Sequence, residues 1–430
     1  MIEVTGKYTS AKIMIDSVDE TCMSQIVAMT NHPAFTEPIA IMPDCHAGKG
    51  SVIGFTMPLG DKIIPNTVGV DIGCGMVSCN VGSDLFDDMS MKILDNSIRK
   101  SIPFGTNIRD KVSSDAVFKW KEINEEIRLF TMRFNKKFNL RMNPVVMDSE
   151  KLVSMFTKVG CNPQRALMSI GTLGGGNHFI EIGKDEKDDY WVTVHSGSRN
   201  FGKCVAEYWQ EIARQRMTEP TMSKVEYVAQ VKSMFKRDKW QQEIAKFDKY
   251  MGKQSNVPKG TEYLEGEDMY GYLVDMLIAQ KYADLSRNVM IFDILDIIGK
   301  FVIEYISTVH NFIDFDDWVI RKGSIRSYVG EKMIVPFNPA DGLLIVEGKS
   351  NEEWNCSSPH GAGRLFSRSK AKQTISKEDA EDVMEGVYAS VKPLDESPLA
   401  YKSAKTIENC IGPTADIVHR VVPVMNLKTS

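Results

Sequence analysis

What most constrains the fold of this 430-residue chain is how widely its chemistry-bearing residues are scattered. Asp, Cys, His and Asn residues beside glycine or at expected element ends run from Asp44 toward Lys428, with no internal repeat and no low-complexity linker between them. If they share one site, nearly the whole chain must close around it. Length alone would allow two or three domains. The scatter predicts instead one large domain over 1–430. A charged, mostly helical segment, 203–285, reads as an insertion or lid within that domain. An apolar content of 43% supplies ample core.

The 52 basic and 57 acidic residues leave a net charge of −5. A nucleic-acid coat would be more basic, so any nucleic acid must bind at a local patch. Eight cysteines without paired spacing predict reduced thiols and a cytoplasmic protein. The start, Met1-Ile2-Glu3-Val4, has no secretory pattern. The most apolar stretch, 289–309, is interrupted by Asp293, Asp296, Lys300 and Glu304. It predicts one amphipathic core helix and no membrane span. Further helices are expected over 10–27 and 119–137.

Ser358-Pro359-His360-Gly361-Ala362-Gly363-Arg364 is the most distinctive loop. Proline and glycine restrict and free the backbone by turns, which holds an imidazole at the lip of a tight loop. The exposed N–H groups suit an anion, with Arg364 as a phosphate partner. Arg364, Arg368, Lys370 and Lys372 then form a basic face on an expected helix, suited to a phosphate backbone.

Upstream, Asp71 and Cys74 stand among glycines in the run 69–76. A loosened turn there can fold a carboxylate and a thiolate, both metal ligands, toward one point. Gly174-Gly175-Gly176 leads into Asn177, His178 and Glu181 on an expected strand. Alternation would set His178 on the opposite face from Asn177 and Glu181 unless the strand bulges. His195 ends a short strand before a Ser/Gly turn. His310 follows the apolar helix, where a histidine by itself is more often core than ligand. Asp44, Cys45 and His46 cannot all meet one ion on an extended chain, so Asp44 and His46 read as positioning groups. Cys79 and His32 read as structural.

Asp71, Cys74, His178, His195 and His310 are too many ligands for one tetrahedral ion. They suit two metals sharing a bridging thiolate, an arrangement typical of phosphoryl chemistry. His360 stands apart as a nucleophile. The residues alone therefore predict a dinuclear metal enzyme acting on phosphates, without naming its substrate.

The runs GVDIGCGM (69–76), GGGNHFIE (174–181), VHSGSRNFG (194–202), HN (310–311) and PHGAGR (359–364), with a lysine near the end, resemble the RtcB family of RNA ligases. The resemblance spans essentially the whole chain. It implies an α/β (α+β) fold with the active site in a deep cleft, and use of GTP and two Mn²⁺ ions to join an RNA ending in a 2′,3′-cyclic phosphate or 3′-phosphate to a 5′-hydroxyl RNA. It implies that Asp71, Cys74 and His178 hold one metal, and that Cys74, His195 and His310 hold the other. His360 would carry GMP as a phosphoramidate and pass it to the RNA 3′-phosphate. Asn177, Glu181, Asn311, Gly361, Ala362, Gly363 and Lys428 would bind the nucleotide, with Tyr401 stacking on the base. Family analogy adds an archease-type activator.

One region departs from the family. Its usual Pro-Gly-Ser-Met-Gly loop is Pro336-Phe337-Asn338-Pro339-Ala340 here, with Leu343 in place of a following serine. The stretch 348–358 also diverges, which raises RNA repair as an alternative to tRNA splicing. A competing reading is a dinuclear phosphoesterase that opens cyclic phosphates without ligation. Retention of His360 and Lys428 speaks against it, since hydrolysis needs no guanylyl carrier.

Overall fold

The computed structural model describes residues 1–86, 89–218, 222–247, 255 and 257–429. The fold is mixed α/β. In chain order the strands are β1 (Ile2–Thr5), β2 (Ser10–Ile13), β3 (Ile39–His46), β4 (Ile53–Pro58), β5 (Lys62–Ile63), β6 (Gly75–Asn80), β7 (Phe179–Lys184), β8 (Tyr190–Ser196) and β9 (Leu264–Glu265). They continue as β10 (Glu304–Val309), β11 (Asn311–Ile313), β12 (Val319–Lys322), β13 (Ser324–Arg326), β14 (Lys332–Pro336), β15 (Leu343–Gly348), β16 (Ser357–Pro359) and β17 (Ala415–Leu427). A six-stranded sheet has the order β1-β2-β3-β4-β12-β11, and a seven-stranded sheet the order β10-β6-β8-β7-β17-β15-β14. Short pairs, β13 with β16 and β5 with β9, complete the pairing.

The seven-stranded sheet curls until its two edges meet. The Ile334 N–H of β14 donates to Thr308 Oγ1 of β10 at 3.1 Å, and Lys332 pairs with Glu304 at 2.5 Å. Met76, Phe179, Trp191, Ile306, Ile334, Leu343, Ile345 and Val421, drawn from all seven strands, fill the inside of the curl. On the outer face Val77, Cys79, Ile180, Ile182, Val192 and Val194 pack on Met290, Ile291 and Ile294 of the long helix Gly266–Ile298. Both faces of these strands are therefore apolar, as a covered sheet requires.

Two expected helices come out differently. The stretch 289–309 is split: the helix ends at Ile298, Gly299 takes the left-handed conformation with φ 64°, and 304–309 is strand β10. A glycine stop and alternate burial of Ile306 and Thr308 outweigh the apolar run that suggested one helix. Likewise 10–27 holds strand β2, and its helix is Glu20–Thr30, begun by Asp19 accepting from the Cys22 N–H. The helix Trp120–Phe138 matches the expected one.

The ends of 203–285 are core. Helix Arg199–Thr218 buries Phe201, Val205, Ala206 and Trp209, in one cluster with residues of the long helix. Tyr227, Val231 and Phe247 form a small cluster of their own between them. Residues 219–221, 248–254 and 256 of that segment lie outside the described residues. No helix among the described residues is long and apolar enough to cross a membrane.

Candidate active site

The four strands β10, β6, β8 and β7 end at one level, and their register brings the expected ligands together. Gly75 lies opposite both Val309 and Ser196, Met76 opposite His195, and His195 opposite Phe179. Cys74, His310, His195 and His178 thus stand at the same end of adjacent strands. His310 is at the junction of β10 and β11, not at a helix end, and its N–H donates to the Cys74 carbonyl at 3.0 Å. His178 precedes β7 in a glycine-rich turn, so strict alternation does not apply to it.

Cys74 Sγ lies 3.6 Å from His178 Nε2 and 3.4 Å from His195 Nε2. His178 Nε2 is 3.0 Å from Asp71 Oδ2, and His195 Nε2 is 3.4 Å from His310 Nε2. Two triads result, Asp71–Cys74–His178 and Cys74–His195–His310, with ligand atoms within 4.8 Å in each. The triads share Cys74.

This donor set fits divalent cations. His195 Nδ1–H donates to the Asn177 carbonyl at 3.1 Å, which leaves its Nε2 a bare lone pair. Burial drives His195 and His310 far below the usual imidazole range, so both are neutral. Burial, seconded by the Asp71 charge, pushes the Cys74 thiol up, and a divalent cation is what would stabilise a thiolate there. Burial would also raise Asp71, but His178 overrides it and holds the carboxyl below its ordinary value. The Ser198 N–H donates to Asp71 Oδ1 at 3.0 Å and fixes the carboxylate.

His360 is not remote from this cluster: its ring centre is 4.9 Å from that of His310. Its Nδ1 lies 2.6 Å from Oδ2 of Asp44, and its backbone N–H donates to the same oxygen at 3.1 Å. Asp44 is fully buried in β3, where the register with β4 shifts between Ile41 and His46. That irregularity separates Asp44 from a regular alternation. Lys402 Nζ pins it by donating to the carbonyls of Pro43 (3.0 Å) and Cys45 (2.9 Å). Gly363, at φ 73°, passes so close that a Cβ would fall 2.2 Å from the Asp44 carbonyl. Only glycine fits there.

A cavity of about 490 Å³ opens over both groups; Asn177, Glu181, Asn311, Gly361, Ala362, Gly363, Tyr401 and Lys428 line it. The segment around Lys428 is not frayed. Strand β17 pairs with β15 through its first half and with β7 through its second, and it seats Lys428 at 4% exposure, over the Phe179 ring. Asn426 Nδ2 donates to Glu181 Oε2 at 2.7 Å, while Glu181 Oε1 is buried and has no partner among the described residues. Burial raises the Glu181 carboxyl to about 8. Asn311 also braces the turn that carries Asp71, donating to the Asp71 carbonyl and accepting from the Gly323 N–H.

Arg364 differs from expectation. It lies in the loop before helix Arg368–Thr374, and its donors go to Glu396 Oε1, the Asp395 and Phe366 carbonyls and the Tyr401 hydroxyl. The basic face on the helix is thus carried by the residues after it. Three groups gave little sign of themselves in the sequence. Lys322 is buried and donates to the carbonyls of Lys49, Ser51 and Asn66. Burial pushes it down to about 7. Glu396 and Asn426 had no motif around them that could have announced a role.

A family model described as tRNA-splicing ligase RtcB matches residues 25–429. The class is that of the splicing ligases, and the chain belongs to the RtcB family. RNA-splicing ligase RtcB of Escherichia coli (strain K12) is 29% identical, over 96% of this chain and 95% of its own. tRNA-splicing ligase RtcB of Nanoarchaeum equitans is 24% identical over 92% and 88% of the two chains. That of Methanococcus maripaludis is 24% identical over 97% and 92%.

Proposed function

We propose that the protein is a GTP- and Mn²⁺-dependent RNA ligase joining 2′,3′-cyclic phosphate or 3′-phosphate RNA ends to 5′-hydroxyl ends. The observation that carries this reading is the hydrogen bond between His360 and buried Asp44, beside the shared-thiolate cluster. With Nδ1–H donating to Asp44, Nε2 keeps its lone pair as a nucleophile. His360 Nε2 forms an N–P bond to the α-phosphorus of GTP, and pyrophosphate departs with the electron pair of the broken P–O bond. Asp44 stabilises the positive imidazole that results. His360 then yields the guanylyl group to the RNA 3′-phosphate oxygen and returns to its neutral form, ready for another turn.

Asp71, Cys74 and His178 would hold one Mn²⁺, and Cys74, His195 and His310 the other. Bound there, the ions would neutralise phosphate charge. The base fits at Glu181 and Lys428. The Glu181 carboxyl, whose buried Oε1 has no partner among the described residues, suits the N–H edge of guanine in its ionised form, and the Lys428 ammonium suits its keto oxygen. The departing loop, Pro336 to Pro339, lines the same cavity, so its divergence bears on nucleotide or RNA choice. RNA repair, as distinct from tRNA splicing, rests on that divergence.

Incubation with α-labelled GTP and Mn²⁺ tests the reading. Wild type should retain an acid-labile label that His360→Ala lacks. Absence of label from metal-loaded wild type would sink the ligase and favour the phosphoesterase.

A further inference from the structure

We infer that Glu396, which does not reach the cleft, governs which base the nucleotide site accepts by holding Lys428 in its charged, donating form. The inference rests on the proposed nucleotide-transfer function and adds a positioning residue to it. Glu396 ends the short turn Leu394–Glu396 and is 2% exposed. Four donors converge on its carboxylate. They are the Tyr401 hydroxyl, Arg364 Nη1 at 3.1 Å, Arg368 Nη2 at 3.3 Å and Lys428 Nζ at 3.4 Å. All four of those side chains line the large cavity, whereas Glu396 lines a small void behind its wall. The carboxylate therefore touches no substrate and acts through its partners.

Of the three cations it gathers, two are arginines, which stay charged in any protein setting. Lys428 is the one whose proton can be lost. The groups facing it are Glu396, Arg368, Glu181, the neutral His195 and the Phe179 ring, with Arg99 on its backbone carbonyl. Burial lowers the Lys428 ammonium, Arg368 adds to the fall, and Glu396 opposes both most strongly, with Glu181 in support. Glu396 itself stays ionised: burial would raise it, but Lys428, Tyr401 and the arginines hold it below the carboxylate range.

The charge state of Lys428 decides what it can recognise. An ammonium only donates, so it matches a keto oxygen and repels an amino group. A neutral amine also accepts, and so tolerates the exocyclic amino group of adenine. Loss of Glu396 lowers the Lys428 pKa further, so the proton leaves as pH rises. Releasing Arg364 and Arg368 also strengthens attraction to any triphosphate. The ratio of GTP to ATP use isolates the base term from that general gain.

The test is transfer of label to His360 from α-labelled GTP and ATP, at about pH 6 to 9, in wild type and Glu396→Gln. Near pH 6 the two proteins should discriminate alike. Toward pH 9 the KM of the variant for GTP should rise about tenfold or more, with little change in kcat and a matching loss of GTP-over-ATP preference. Lys428→Arg added to Glu396→Gln should restore preference at high pH, because arginine keeps its proton. Wild-type preference in Glu396→Gln at every pH, or a loss equal at every pH, overturns the inference. If Glu396→Gln does not fold, Glu396→Asp takes its place and should lose preference at lower pH than wild type; an unchanged profile overturns the inference equally. A wild type that takes no label from either nucleotide defeats the ligase reading itself, so the two failures are distinct.

Discussion

Asp44 shares one carboxylate oxygen between the ring and the backbone N–H of His360, while its other oxygen is buried without a partner among the described residues. Asp44→Asn nearly preserves shape but removes the charge that orients and then stabilises the imidazole. Labelling of His360 should fall by about 10³-fold or more, by analogy with the loss of an orienting aspartate elsewhere. Metal content, measured on the same samples, should stay unchanged; loss of metal would point to collapse of the site instead. Asp44 was legible as a positioning group because neighbours on an extended chain face opposite ways. Lys322 and Glu396 were not legible, since a buried charge is recognised by its partners. Lys322's are carbonyls at 49, 51 and 66, and Glu396's include cations at 364, 368 and 428.

Among the elements, the closeness of β6 and β10 sets the candidate metal-binding cluster. A Cβ on Gly75 would fall 2.3 Å from the Thr308 carbonyl oxygen, a backbone atom that cannot step aside. Gly75→Ala should force the two strands apart and cost about 1–3 kcal/mol. Because Cys74 and His310 flank that contact, bound metal should fall as well. Thermal unfolding and metal analysis together check this; lowered stability with full metal content would show that the cluster does not depend on the strand spacing. The same strand explains a misread. An apolar run with acids at 293, 296 and 304 carries no period strong enough to separate helix from strand, and pairing of 304–309 with β6 decided it.

Across the molecule, burial holds His32 and His46 down to about 4, and His195 and His310 lower than their ordinary value as well. The unfolded chain titrates these imidazoles near 6.5, so below about pH 6.5 it binds more protons than the folded protein. Stability must then fall as pH drops from about 6.5 toward 4. Denaturant unfolding of metal-free protein should give a lower midpoint at about pH 5 than at about pH 7. An equal midpoint would mean that these histidines are charged in the folded state.

The sequence by itself determined which atoms could serve. A carboxylate, a thiolate and imidazoles set among glycines, and one histidine between proline and a Gly-Ala-Gly run, are local chemistry written at single positions. Those residues also carried the family resemblance. Distances are a different matter, because Asp71 and Lys428 meet one cavity only through the register of seven strands and the closure of the curl. Tertiary structure alone decided that His360 stands beside His310, that Arg364's donors are engaged by the protein, and that Glu396 gathers the cations of the wall. Side-chain identity is fixed by covalent chemistry. Partnership depends on packing and pairing between segments hundreds of residues apart, which no local pattern encodes.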